Sequence, residues 1–451
     1  MRTETKVNGI TEGRISSQLL LFFFPILFGT FFQQLYNTVD AIVVGQYLGT
    51  EALAAVGGGT GTAINLLIGF FTGLSSGATV IISQYYGAKD YKDTSKAIHT
   101  AIMIALIGGV LILAIGILFT RPILELIGTP DDVIDLAESY MRIYFLGSIF
   151  NTVYNMGAGI FRALGDSKKP LYFLIVSCLV NIVLDILLVG FTDLGVAGAA
   201  WATIFSQAAS AVLVLIYLRK LDEDIRLKLR ELKIDPMILK GTMRIGLPAG
   251  IQSVLYTISN LIIQANVNSF GTATAAAWAA YGKLDAVFWM AINAFGIAAT
   301  TFVGQNYGAR LYDRVRSGVK ISLWMGGVMT ILISGLFLLL QDKGLMLFTT
   351  DQEVLSIGVE ILLILVPTWI TYMPIEILSG VMRGCGKTLI PTIITVVGIC
   401  VLRALWLEIV PAMNHTLLSV FFCYPLSWVI TSAAIIIYYF FGDVLPKRKK
   451  Q

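Results

Sequence analysis

Hydrophobic and polar positions along this chain fall into long blocks. Charge-free runs occupy residues 52–88, 97–120, 194–218, 245–282, 286–309 and 409–442. Each exceeds the ~20 residues that cross a bilayer core at about 1.5 Å per residue, and the longer runs hold parts of two helices. The pattern predicts twelve spanning helices, at 16–47, 52–83, 95–120, 133–159, 169–191, 194–219, 242–268, 272–305, 315–341, 352–381, 388–411 and 414–442.

The two halves of this series repeat. Gly159, Arg162, Gly165 and Pro170 recur as Gly380, Arg383, Gly386 and Pro391, and Gln84, Tyr86, Gly87, Ala88 and Tyr91 recur as Gln305, Tyr307, Gly308, Ala309 and Tyr312, every pair 221 positions apart. Identities at one fixed offset mark a duplicated structural unit. Six helices per half is an even number, so both repeats enter from the same side and are related by an axis along the membrane normal, a build common among secondary transporters. The organisation expected is an amino-terminal lobe at 1–220, a cytoplasmic amphipathic linker at 221–241 and a carboxy-terminal lobe with a basic tail at 242–451.

Composition agrees with a membrane setting: 56% of residues are hydrophobic and 13% charged, against roughly 25% charged in soluble domains. Of 32 Lys and Arg, 27 fall in the termini and in the loops on the side that holds both termini, leaving Arg121 and Lys343 in loops opposite. Positive residues stay cytoplasmic, so both termini are expected to face the cytoplasm. The net charge of +4 then reflects topology and gives no argument for nucleic acid.

Enzymatic readings fail on residues. Gly386, Lys387 and Thr388 resemble the end of a phosphate-binding loop, but its first glycine would fall at Val381, so no ATP site follows. His99 and His415 are too few and too separated for a metal centre or a triad. Cys178, Cys385, Cys400 and Cys423 show neither disulfide nor metal spacing. The Asn414-His415-Thr416 sequon sits in a loop too short to carry weight. No cofactor is expected.

Intramembrane carboxylates are costly and mark function by default. The first predicted helix carries Gln33, Asn37 and Asp40 on one face, the fifth Asn181 and Asp185, and the sixth Thr203, Gln207 and Ser210. Asp40, Asp185 and Thr203 lie about seven to nine residues, roughly 10–14 Å, from the outer ends of their helices. Two carboxylates, an amide oxygen and a hydroxyl at one level suit a hard cation such as sodium. A proton would also serve, since two close carboxylates in low dielectric do not both stay ionised. Pairing with a base is the competing structural account, and Arg142 is the one basic residue near that depth in the first half. The offset of 221 carries Asp185 onto Trp406, Asn181 onto Leu402 and Thr203 onto Tyr424, so the acid site belongs to the first half alone. In the second half Lys283, Asp285, Arg403 and Glu408 carry both signs and are expected to pair with one another, while Glu376 fits several roles. Gly69, Gly73 and Gly77 recur every fourth residue and predict close helix packing. Pro25 and Gly29 leave a bendable point in the first helix.

The run PILFGTFFQQLYNTVDAIVVGQYLG from Pro25 to Gly49, the SQYYGA and GQNYGA pair, the RALGDSKKP and RGCGKTLIP pair and NIVLDILLVG together resemble the multidrug and toxic compound extrusion (MATE) family over nearly the whole chain. The resemblance implies an all-α polytopic protein with two parallel-repeat six-helix lobes in a V around a central cavity. It also implies export of amphipathic organic cations in exchange for Na+ or H+. The family's first-lobe cation site maps onto Asp40, Asn181, Asp185 and Thr203. A second-lobe acidic site finds no carboxylate on the seventh helix and only Glu376 as a loose counterpart on the tenth. Gln33, Gln34, Tyr36, Asn37, Tyr154, Trp289 and Tyr372 are the expected cavity contacts, where aromatic faces suit flat cations; Phe150, Phe288 and Trp369 are further aromatics at similar depth. A monomer in the lipid bilayer is expected. The alternative is a flippase for a lipid or lipid-linked sugar on a related two-lobe scaffold, which calls for a basic cavity.

Overall fold

The computed structural model describes residues 10–413 and 416–446. Arg2, Lys6, the basic tail from Lys447 and the Asn414-His415 pair lie outside the described residues. All regular structure among those described is helical. In chain order α1 (Ile15–Leu48), α2 (Thr50–Gly57), α3 (Gly59–Gly87), α4 (Tyr91–Leu126), α5 (Ile134–Leu146), α6 (Ser148–Ala163), α7 (Lys168–Gly190) and α8 (Val196–Arg219) come first. They are followed by α9 (Pro236–Asn268), α10 (Thr272–Gly308), α11 (Tyr312–Leu339), α12 (Gln341–Met346), α13 (Gln352–Leu365) and α14 (Trp369–Gly384). The last are α15 (Leu389–Thr395), α16 (Leu402–Met413), α17 (Leu417–Phe421) and α18 (Cys423–Phe441), with a turn of π-helix at Val396–Val401 before α16.

Eleven helical stretches among the described residues are long and apolar enough to cross a bilayer. The remaining expected span, 133–159, is folded as α5 and α6 with Gly147 at their junction. A Cβ at Gly147 would lie 2.8 Å from Ile204 Cγ1, so the backbone presses against α8 where only glycine fits. Glycine also weakens a helix interior by about 1 kcal/mol relative to alanine, and the helix resets there.

The chain divides into two compact units, and the division falls inside helices. One unit holds residues 24–253 and the other residues 10–23 with 254–446. The beginning of α9 therefore belongs with the first lobe rather than with the 242–451 segment expected from the repeat. Close backbone packing explains this. On α3 a Cβ at Gly73 would lie 2.5 Å from Gly250 Cα, and one at Gly77 2.4 Å from the Thr242 carbonyl oxygen, so the glycine stripe lets α9 lie directly against α3. In the second unit the Phe23 ring stacks on Phe295 of α10 at 4.2 Å, and Arg314 of α11 donates hydrogen bonds to the carbonyls of Ile10, Glu12 and Gly13 at 3.2, 2.8 and 2.9 Å. Residues 10–23 thus stay with the second unit, and the changeover in α1 comes one residue before Pro25.

The 221–235 stretch contains a single 3-10 turn, Leu229–Glu231. It is docked by Ile225 and Leu227, both buried in a core cluster with Ile98, Ile102 and Leu218.

Within the first unit that core forms one apolar cluster, with Leu74, Ala105, Phe173 and Ala211 among its members. A second contains Val43, Ile64, Ile112, Tyr140, Val189 and Ala200. Along α3, α4, α7 and α8 the chain passes from one cluster to the other, and a polar layer lies between.

Candidate functional site

Asp40 on α1, Asn181 and Asp185 on α7 and Thr203 on α8 all fall in that layer, and all are buried, Asn181 and Asp185 fully so. On α7 the sequence runs from Phe173 in one apolar cluster through Asn181 and Asp185 to Val189 in the other. On α8 it runs back from Ala200 through Thr203 to Ala211. The Ser177 hydroxyl donates to the Ser206 carbonyl at 2.8 Å, which fixes the antiparallel register of α7 and α8. Thr203, nearly one turn before Ser206, is thereby level with Asn181, one turn after Ser177.

The Asp40 and Asp185 carboxyl groups meet side chain to side chain. Asp40 Oδ1, both Asp185 oxygens, both polar atoms of the Asn181 amide and Gln207 Oε1 are buried without a hydrogen-bond partner among the described residues. Five of these six atoms are acceptors. A buried acceptor left unmatched costs about 1–3 kcal/mol, more when charged, so the layer is completed only by something that supplies positive charge or protons. No base among the described residues does so. Arg142 is turned outward onto Glu138 at 2.7 Å, and no salt bridge of the described residues reaches either aspartate. No three His, Cys, Asp or Glu side chains converge among the described residues.

Two residues that the sequence reading missed line this layer. Tyr140 of α5 lies within electrostatic reach of Asp40 and Asp185. Tyr144, one turn on, is close to Asp40 and accepts a hydrogen bond from the Gln207 amide at 3.4 Å. Their spacing of four on a helix with polar residues opposite was the available signal. Tyr36 of α1 stands near Asp40, Tyr144 and Tyr154, with Gln33 approaching its phenol.

The expected contact residues are scattered in exposure. Gln33, Gln34 and Asn37 are exposed on α1, while Tyr36, Tyr154 and Trp289 are half-buried. Tyr154 donates to the Pro170 carbonyl at 3.3 Å. Tyr372 is buried and donates to Glu376 at 3.3 Å. Phe288 and Trp369 are fully buried and stacked on each other at 4.6 Å, so both are core packing.

In the second unit Asp285 and Arg403 lie within electrostatic reach of each other without a direct salt bridge. Lys283 and Glu408 are exposed. Asp285 accepts from Trp289 Nε1 at 2.7 Å and from the Tyr281 hydroxyl at 3.2 Å. Arg403 donates to the Ser427 hydroxyl at 2.9 Å and lies over the Tyr424 ring at 4.1 Å and the Trp428 ring at 5.7 Å. Aromatic faces and a hydroxyl make the direct contacts to this buried guanidinium, and the Asp285 carboxylate acts on it from further off.

A family model described as MatE matches residues 25–187 and again residues 248–407, one copy per repeat. The chain belongs to the MatE family. This MatE chain is 33% identical over 442 residues to the probable multidrug resistance protein YoeA of Bacillus subtilis, covering 93% of this chain and 92% of that one. It is 22% identical to the multidrug export protein MepA of Staphylococcus aureus, covering 82% of this chain and 81% of that one. Among solved structures, an outward-facing multidrug resistance MATE family transporter of the MOP superfamily superposes with a TM-score of 0.91 at 21% identity, covering 98% and 99% of the two chains. The polypeptide is thus a multi-pass membrane protein of the MATE multidrug efflux family, built as two parallel six-helix repeats.

Proposed function

We propose that this chain is a secondary active antiporter that exports amphipathic organic cations in exchange for Na+ or H+ taken up at Asp40, Asn181, Asp185 and Thr203. The observation that carries the reading is the buried, acceptor-rich layer around the facing carboxyl groups of Asp40 and Asp185, which lacks any basic partner among the described residues. Filling the layer removes a cost that the empty site bears, so occupancy favours whichever arrangement of the helices closes on it. Substrate and ion then compete for the free energy of one alternating conformational equilibrium.

The printed names of YoeA and MepA support drug-like small molecules as cargo. The exposed amides of Gln33, Gln34 and Asn37 and the half-buried rings of Tyr36, Tyr154 and Trp289 are the surfaces we assign to it, together with the phenol of Tyr372. Acidic charge in the first unit favours cationic cargo. The chain acts in the cell membrane as a monomer with both termini cytoplasmic, in line with its loop charges. The test is reconstitution in liposomes with a fluorescent organic cation under a sodium gradient alone and a proton gradient alone, with Asp40→Asn and Asp185→Asn beside the parent. Uptake driven by one gradient and lost in both variants is expected. Flux indifferent to both gradients would reject the antiporter and turn attention to lipid cargo.

A further inference from the structure

The stretch between α8 and α9 folds back onto the turn between α3 and α4 and encloses a groove of about 1000 Å³ in the first unit. Its basic residues are Lys89, Lys92, Lys96, Lys228, Arg230 and Lys233. Most of its acidic residues already have work. Asp90 caps α4 by accepting from the Asp93 N–H at 3.0 Å, and Asp235 caps α9 by accepting from Met237 and Ile238 N–H at 2.9 and 3.1 Å. Glu231 holds Lys228 at 3.2 Å and Glu223 holds Arg226 at 3.1 Å, while Asp93, outside the groove lining, holds Lys96 at 2.7 Å. Among the described residues Lys89, Lys92, Arg230 and Lys233 keep no ion-pair partner, and Asp224 is the lining carboxylate left over.

The groove is built rather than draped. His99, 4% exposed at its back, holds the Ser95 carbonyl through Nδ1 at 2.7 Å and accepts the Lys228 N–H at Nε2 at 3.1 Å. Those two bonds fix a neutral Nδ1–H tautomer. Thr100 Oγ1 accepts the Asp235 N–H at 3.0 Å. Lys89 is held at φ +59°, in the left-handed region that disfavours side chains. The repeat supplies an internal comparison. The same left-handed turn recurs at Arg310 with φ +58°, and there the helix C-terminus alone accounts for a cation. The positions equivalent to Lys92, Lys96 and His99 are Asp313, Ser317 and Lys320. The cations of the second turn are used within the fold, Arg314 on the carbonyls of Ile10, Glu12 and Gly13 and Arg316 on Asp313, and no histidine stands there to hold a linker.

We propose that this groove is a binding site for a phosphate-bearing ligand, distinct from the ion layer around Asp40. On the face expected to be cytoplasmic, the phosphate comes either from an anionic phospholipid headgroup or from a soluble polyphosphate. Unpaired Lys and Arg on a preformed wall neutralise phosphate oxygens without first breaking internal ion pairs. Juxtamembrane basic residues contribute about fivefold in affinity each.

The experiment compares the parent with a Lys92→Gln, Arg230→Gln, Lys233→Gln triple variant, and with an Arg310→Gln, Lys320→Gln control that removes cations from the second unit. Amide hydrogen exchange at 225–235 is followed in nanodiscs of zwitterionic lipid with and without phosphatidylglycerol, and separately in zwitterionic nanodiscs titrated with ATP. Protection by phosphatidylglycerol alone assigns the headgroup, and protection by ATP alone assigns a soluble ligand. In either case the triple variant should bind about a hundredfold more weakly, near fivefold per residue, while the control and Asp40→Asn keep parental binding. The proposal is overturned if neither probe protects 225–235, or if the control loses as much as the triple variant. The readout needs no transport, so it succeeds or fails independently of the antiport reading.

Discussion

Replacing Asp185 with asparagine should make the ion-free protein more stable at alkaline pH while abolishing its response to ions. Asp185 is fully buried and its carboxyl group meets that of Asp40, with no base among the described residues to offset them. Two unit charges ~4 Å apart repel by about 4 kcal/mol at an effective dielectric of ~20. The folded protein escapes this by taking up a proton or a cation that the unfolded chain does not need. Proton uptake on folding means that stability falls as pH rises when sodium is absent. With an unfolding entropy of ~2.1 cal/mol/K per residue, a chain of 451 residues converts each kcal/mol into about 1 °C. Linkage is worth about 1.4 kcal/mol per pH unit, so the parent should lose about 4 °C in melting temperature over the roughly three pH units above about pH 4 without sodium, a cost that the uncharged amide of the Asp185→Asn protein removes. Sodium at ten times its dissociation constant should restore about 1.4 kcal/mol to the parent alone. The assay is a thermal melt in detergent across pH, with and without sodium, beside the gradient-driven flux of each form. A parent melting curve flat in both pH and sodium, or an Asp185→Asn protein less stable than the parent at the alkaline end, would refute charge repulsion as the driving term.

Other substitutions read other parts of the fold. Gly77→Leu drives a side chain into Thr242 and Gly246 and should destabilise by about 1–3 kcal/mol, whereas Gly61→Ala meets nothing within 4 Å and should stabilise α3 by up to about 1 kcal/mol; melting temperatures separate the two. Arg403→Lys should not restore the stacking on Tyr424 and Trp428, because a flat guanidinium and a point ammonium meet a ring differently, and tryptophan emission should shift in the variant; an unchanged spectrum would count against a cation packed on Trp428. Arg314→Gln removes charge-assisted donors from the carbonyls of Ile10, Glu12 and Gly13, worth about 1.5–3 kcal/mol each, and should speed amide exchange ahead of α1; exchange as slow as in the parent would mean that other contacts hold the segment.

The helices and their twofold repeat are plain in the sequence because bilayer length and a fixed offset are coarse, long-range signals. The acid layer is legible for a related reason: Asp40, Asn181, Asp185 and Thr203 are polar residues in spans where polarity is rare, and helix geometry converts their positions into depth. What escapes is whatever depends on shape at a contact. Gly147 reads as one more small residue until Ile204 of α8 is seen against it. Tyr140 and Tyr144 look like ordinary aromatics of an amphipathic helix, and only the fold brings their hydroxyls toward Asp40. Charge signs in the second half suggest pairing, yet Arg403 is matched by ring faces, which no charge pattern encodes. The linker is polar enough to read as a surface segment, and two apolar residues, Ile225 and Leu227, suffice to dock it.

The division of α1 and α9 between the two units bears on how the molecule is made. The first unit draws on residues up to 253, beyond its own six helices, and the second draws on residues 10–23, the earliest described part of the chain. During synthesis the leading unit stays open until the start of α9 has left the ribosome. The trailing one closes on a piece synthesised well before its own helices. A gene cut between α8 and α9 would yield two fragments, each carrying a segment that packs in the other's unit.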